Sequence, residues 1–109
     1  MTKITLFRSA GRIVGFEAKG HAGYADAGED IVCAAVSALT QTAVMGLREL
    51  LKLVIAVEME EGYIYCMLPD DIAKHHRHDA ELILGTMAMG LGSIAQTNGD
   101  YIKVTDKEV

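Results

Sequence analysis

The 109 residues predict an α+β layered domain, β-β-α-β-β-α-β, with a mostly antiparallel sheet and two long helices. Three observations carry that expectation. Two pairs of short alternating segments are each joined by turn residues. Two long stretches repeat their apolar residues near the helical period. Half of the residues are hydrophobic, yet aromatics are only 6% and Trp is absent, so the core must come from Ala, Val, Ile, Leu and Met, which suits helices packed on a sheet.

In chain order, Lys3 to Arg8 alternates apolar and polar residues and reads as a strand, and Ser9-Ala10-Gly11-Arg12 as a turn. Ile13 to Lys19 is the returning strand, with Phe16 and Ala18 on one face and Glu17 and Lys19 on the other. Gly20 to Gly28 contains Gly20, Gly23 and Gly28 and reads as a loop holding His21 and Tyr24. From Asp30 the period becomes helical through Ile31, Ala35, Ala38, Leu39, Thr42, Val44, Met45 and Leu50, giving a helix to about Leu51. Val54 to Glu60 and Tyr63 to Leu68 form a second hairpin about Glu61-Gly62, ended by Pro69. A second helix is expected from Arg77 to Gln96, burying Leu82, Ile83, Leu84, Met87, Met89, Leu91 and Ile94, and stopping at Asn98-Gly99. Tyr101 to Thr105 is a last strand. Without linkers or repeats, residues 1–109 read as one domain.

The net charge of −5 argues against nucleic-acid binding, which needs clustered Lys and Arg, and suits a basic protein partner. No signal region opens the sequence, and the apolar runs, broken by Gly, Ser or Thr, read as too short to span a bilayer. A soluble cytoplasmic protein is expected. Cys33 and Cys66 form no secreted disulfide framework; in a reducing compartment a Cys is either buried and inert or present for its chemistry.

The informative stretch is Gly20-His21-Ala22-Gly23-Tyr24, then Asp26 to Asp30, then Ile31-Val32-Cys33-Ala34-Ala35-Val36-Ser37. A His in a Gly-rich loop is followed twelve residues later by a Cys expected in the first turn of a helix. The thiolate is the nucleophile, and unpaired N–H groups and the positive dipole end of a first turn favour it. The same N–H groups suit the oxyanion that forms when sulfur attacks an amide. An imidazole takes the thiol proton and returns it to the leaving amine. Glycines on both sides of His21 let the loop bend toward Cys33. Small neighbours leave room for a substrate backbone. Ser37 lies one turn beyond Cys33; Asp30, a turn before it, reads as the N-cap or as the group that orients His21. The bland alternative is a Cys packed as a small hydrophobe and a solvated loop His.

Other candidates are weaker. His75, His76 and His78, near Asp71 and Asp79, match no closed metal site and read as a solvated helix start, so no metal is expected. Cys66, mid-strand, reads as packed and unreactive. Met87-Ala88-Met89 reads as core filler, and the glycines at 20, 23 and 28 lack a dinucleotide fingerprint, so no cofactor is expected.

The stretch Gly20-His21-Ala22-Gly23 through Gly28-Glu29-Asp30-Ile31-Val32-Cys33-Ala34-Ala35-Val36-Ser37 to Thr42 closely resembles the ribosomal-processing cysteine protease family, often called Prp. The family pattern is Gly-His in a loop, then a Cys with a Ser four residues on: here Gly20-His21, Cys33 and Ser37. The resemblance implies a homodimeric bacterial endopeptidase of α/β sandwich fold. It removes the N-terminal extension of a large-subunit ribosomal protein, cutting after an aromatic residue. By that resemblance Cys33 is the nucleophile and His21 the base, Asp30 and Ser37 are supporting residues, and the Gly-rich loop moves when substrate binds. The His75-His76-Arg77-His78 run is not part of the family pattern. Two other readings compete: a non-catalytic dimeric ribosome-assembly factor gripping the same basic partner, and a thiol hydrolase of small acyl substrates.

Overall fold

The computed structural model describes residues 1–20 and 27–109. Its elements are β1 (Thr2–Ser9), β2 (Arg12–Lys19), α1 (Ala27–Met45), β3 (Ala56–Glu60), β4 (Tyr63–Met67), α2 (Lys74–Thr97) and β5 (Ile102–Glu108). The order is the one the periodicities predict, and the class is α+β.

Each hairpin follows from its turn. Ser9 pairs with Arg12, leaving Ala10 and Gly11 as a two-residue connection with φ of 52° and 79°. Two positive φ values match the right-handed twist of the strands. Gly62, at φ 73°, closes the β3–β4 turn between Glu60 and Tyr63. The five strands lie in the order β3-β4-β2-β1-β5. All neighbours are antiparallel except β1 and β5, which run parallel with Thr2 opposite Ile102. The sheet is therefore mixed.

Side chains alternate across a strand, so register decides which residues share a face. Leu6, Phe16 and Cys66 stand in one row, and Ile4, Ala18 and Ile64 in the next; all six are buried. They form one core with Val32, Val36, Val44 and Leu47 from the first helical segment and Ala80, Leu84, Met87 and Leu91 from α2. The opposite sheet face carries Lys3, Glu17, Lys19 and Glu58, with Tyr65 tilted against Phe7 at 6.0 Å between ring centroids. The result is two layers: both helices on one side of the sheet, polar groups on the other. The helices run antiparallel, meeting where Leu39 lies over Gly90 and Ile83 over Gly46.

Several expectations need correction. α1 begins at Ala27, so Asp30 lies inside the helix rather than at its N-cap, and Gly28 belongs to the first turn rather than to a loop. A Cβ at Gly28 would stand 2.9 Å from the Tyr101 ring, so this glycine permits close packing of α1 on the chain before β5. At its other end α1 runs into one π turn, Gly46–Leu50. Lys52, at φ 56°, stops it, and the Leu53 N–H donates to the Leu47 carbonyl. α2 starts at Lys74, so the histidines lie in the helix rather than before it. It ends as predicted at Asn98, whose amide side chain donates to the Ile94 carbonyl.

The buried stripes match the expected ones only in part: Val44, Leu84, Met87 and Leu91 are buried as expected. Ile31, Met45, Leu50, Leu82 and Met89 point outward, whereas Val32, Val36, Ala43 and Leu47 face the sheet. Both helices carry apolar residues on more than one side, and period alone does not choose between stripes. Ala27–Leu50 is also long and apolar enough, by length and composition, to cross a bilayer, contrary to the short runs the sequence suggested. Its Val32, Val36, Val44 and Leu47 are packed on the sheet.

Candidate active site

Cys33 is the seventh residue of α1, nearly two turns from the start. It is therefore outside the first turn that the sequence assigned to it. The unpaired N–H groups of a helix belong to its first turn, and the dipole effect fades beyond it. The first turn here carries Glu29 and Asp30 instead, acids that complement the dipole. Glu29 also contacts the Met1 ammonium, joining the start of β1 to α1.

Cys33 is half-buried and lies on the wall of a cavity of about 220 Å³. Ser37, one turn on and exposed, lines the same cavity; Asp30 is exposed and does not line it. Across from α1, the cavity is walled by Ala18 and Gly20 at the end of β2 and by Met59, Glu60, Gly62, Tyr63 and Ile64 of the second hairpin. The Gly20 N–H donates to the Gly62 carbonyl at 2.8 Å, which fixes the two walls together. His21 and Gly23 lie outside the described residues; Gly20, directly before His21 in the chain, is close to the thiol. A Cβ built there would sit 3.5 Å from Cys33 Sγ and 3.2 Å from Thr2 Oγ1.

Thr2 is the residue that sequence reasoning missed. Its Oγ1 lies 3.3 Å from Cys33 Sγ. Thirty-one positions separate the two, and nothing in an alternating strand marks one Thr from another. The walls from β3 and β4 were equally unmarked, because hairpin pairing and not local sequence brings them to α1.

The Tyr63 hydroxyl donates to the Glu17 carboxylate at 2.9 Å, and this bond, with burial and the Glu17 charge, pushes its pKa up to about 12. The Tyr63 hydroxyl is thereby held against Glu17, on the sheet face away from the helices. The second thiol differs from the first. Cys66 is fully buried in the core, and burial pushes its pKa from 9.0 up to about 11, Arg48 pulling weakly the other way. It is packed as a small hydrophobe, consistent with its mid-strand position.

A pH prediction follows for Cys66. Below pH 9 the thiol is protonated in both the folded and the unfolded chain. Between about 9 and 11 the unfolded chain loses the proton while the folded chain keeps it, so stability falls as pH rises. The full loss, reached above pH 11, is about 2–3 kcal/mol. Denaturant titrations of the wild type and Cys66→Ala at pH 8 and pH 10.5 read it. The wild type is expected to lose more stability over that interval, and equal losses would refute the buried-thiol account.

The remaining histidines are at the far start of α2. His75 and His78 are exposed, and the His75 and His76 rings stand 4.1 Å apart. Among the described residues no group of three His, Cys, Asp or Glu is gathered to hold a metal ion.

The family model described as "Cysteine protease Prp" matches residues 1–103. The ribosomal processing cysteine protease Prp of Bacillus subtilis (strain 168) is 32% identical over 108 residues, covering 96% of each chain. SMU.848 from Streptococcus mutans superposes with a TM-score of 0.86 at 26% identity, over 100% of this chain and 96% of its own. The essential ribosomal processing protease Prp from S. aureus, solved with a substrate peptide, gives a TM-score of 0.86 at 24% identity, over 98% of this chain and 100% of its own. The two-layer fold is thus that of known Prp structures, and an accessible thiol lines a cavity on it. With the match running from β1 into β5, this chain belongs to the Prp family of cysteine proteases, which are hydrolases.

Proposed function

We propose that the protein is an endopeptidase that removes the N-terminal extension of a bacterial large-subunit ribosomal protein, with Cys33 as nucleophile and His21 as base. The observation that carries this reading is the position of Cys33. It lines the cavity, with Gly20, the neighbour of His21, beside its sulfur, whereas Cys66 is fully buried in the core. In the proposed reaction His21 takes the thiol proton and the thiolate adds to the scissile carbonyl. The tetrahedral intermediate collapses as the amine leaves with that proton, and water then cleaves the thioester. Ser37 lines the same cavity and is suited to hydrogen-bond the substrate; Asp30, in the first turn of α1, is a supporting residue in this reading. Apolar wall residues Ala18, Met59 and Ile64 suit an aromatic side chain before the scissile bond. The net charge of −5 complements a basic ribosomal segment and disfavours direct nucleic-acid binding.

The reading implies a cytoplasmic protein needing no cofactor, acting where ribosomal proteins are made and thiols stay reduced; both cysteines are free. It also implies a homodimer. Leu50, Leu82 and Met89, 79%, 59% and 79% exposed, are apolar residues on the outer helical surface that a second copy would cover. Sedimentation equilibrium is expected to give twice the chain mass for the wild type and a shift toward monomer for Leu82→Glu. A monomeric wild type would remove the dimer from the reading.

The test of function is incubation with a peptide spanning the N-terminal extension of the host's own ribosomal protein, with products identified by mass. Cleavage at one site after an aromatic residue is expected. A folded wild type that binds the peptide and leaves it intact would favour the assembly-factor reading instead.

A further inference from the structure

We infer that Thr2 is a positioning residue for the nucleophile: its hydroxyl holds Cys33 Sγ at the cavity wall and donates to the thiolate once the proton has left. The inference rests on the reading of Cys33 as nucleophile given above. Four observations on the structure support it.

The Thr2 side chain is 2% exposed, and a buried hydroxyl is costly unless it is hydrogen-bonded. Among the described residues, the partner of that hydroxyl is Cys33 Sγ, at 3.3 Å. The hydroxyl is held on a rigid support. The Thr2 N–H donates to the Tyr101 carbonyl at 2.7 Å, Thr2 is in register with Ile102 on the parallel strand, and a β-branched side chain is stiff about χ1. Finally, Gly20 packs on both atoms, since a Cβ there would stand 3.2 Å from Thr2 Oγ1 and 3.5 Å from Cys33 Sγ. Strand, helix and loop entrance therefore converge on one O–S pair.

The chemistry of the pair matches the step required of it. With Cys33 protonated, either atom is able to donate. When the thiol proton passes to the base, sulfur becomes acceptor only, and the Thr2 O–H turns to donate to S⁻ without movement of heavy atoms. Such a bond favours the charged form of sulfur. It weakens again as the S–C bond forms and negative charge moves to the carbonyl oxygen. Thr2 thus raises the thiolate population and fixes its direction, and it contributes little to the later transition state.

Alkylation of Cys33 by iodoacetamide tests this without requiring proteolysis, in a Cys66→Ala background that leaves one thiol. Glu29 and Asp30 on α1, the Met1 ammonium on β1, Tyr101 against Gly28, Glu60 and Tyr63 across the cavity, and His21 after Gly20 are common to every variant, so differences between profiles belong to position 2. Thr2→Val, which keeps the shape and removes the hydroxyl, is expected to slow alkylation about fivefold at pH 7. Its pH–rate profile moves to higher pH, and its limiting rate at high pH equals or exceeds that of the parent, because a thiolate relieved of a hydrogen bond is more nucleophilic. Thr2→Ser restores the parent profile. Thr2→Ala gives the same readings should Thr2→Val fail to fold. A profile superimposable on the parent in Thr2→Val, or a Thr2→Ser profile no closer to the parent than that of Thr2→Val, would overturn the proposal. Loss of peptide cleavage in the parent itself would strike at the protease reading and leave the coupling of Thr2 to Cys33 measurable.

Discussion

Cys33→Ala is expected to abolish peptide cleavage, by roughly 10⁴-fold or more, while the protein stays folded. Deleting a nucleophile leaves only substrate binding and fixed dipoles to assist water, and losses of that size are what such deletions produce. The fold should tolerate the change. Cys33 is half-buried at a cavity wall and not part of the core cluster, so the main cost is the Thr2 hydroxyl left without its sulfur partner, about 1–2 kcal/mol. Cys66→Ala is the matched control. It removes a sulfur from the fully buried core, beside Phe16, and so costs stability but leaves the cavity lining intact. The two substitutions should therefore separate by activity: Cys33→Ala loses it and stays folded at a modest cost in stability, whereas Cys66→Ala keeps it and melts earlier than the wild type. Turnover by a folded Cys33→Ala protein would end the case for a cysteine nucleophile at this position.

The largest expected effect on stability is at Phe16. Its side chain is 0% exposed, on the central strand β2, between Leu6 of β1 and Cys66 of β4. Phe16→Ala should cost about 3–5 kcal/mol, the lost transfer energy of the ring plus the cavity left where both neighbours are held by strand pairing. Against a domain stability of about 5–15 kcal/mol, this is enough to bring a marginal fold close to unfolding at physiological temperature. Urea denaturation reads it, and Phe16→Leu serves as the partial case, with a smaller loss. A Phe16→Ala cost below about 1 kcal/mol would show that the core reorganises around the gap and that the two layers are not closely packed there.

The alternation of Phe16 and Ala18 against Glu17 and Lys19 was readable because a strand has a period of two and one of its faces must leave water. The same reasoning held only in part on the helices. Leu84, Met87 and Leu91 are buried as expected, but Leu82 and Met89, also expected inside, are exposed, while Ala80 is fully buried. α2 offers apolar residues on two stripes, and only the placement of α1 and the sheet decides which stripe is covered. Cys33 was recognisable through its motif, but its surroundings were not. The start of α1 at Ala27 moved it beyond the first turn, which shifts the support of the sulfur from helix-end N–H groups to the Thr2 hydroxyl.

The sequence by itself determined the element order, both hairpin turns, the Asn98 helix stop and the family motif around Cys33. Each of these depends on residues close together in the chain, where steric limits on φ and the periodicities of helix and strand act directly. Only the tertiary structure decided the parallel pairing of β5 with β1, the outward apolar helix faces, the burial of Cys66 against the accessibility of Cys33, and the Thr2–Cys33 contact. These depend on which surfaces the layers bury against each other, and that choice joins residues far apart in sequence through burial and hydrogen bonding that local pattern does not encode.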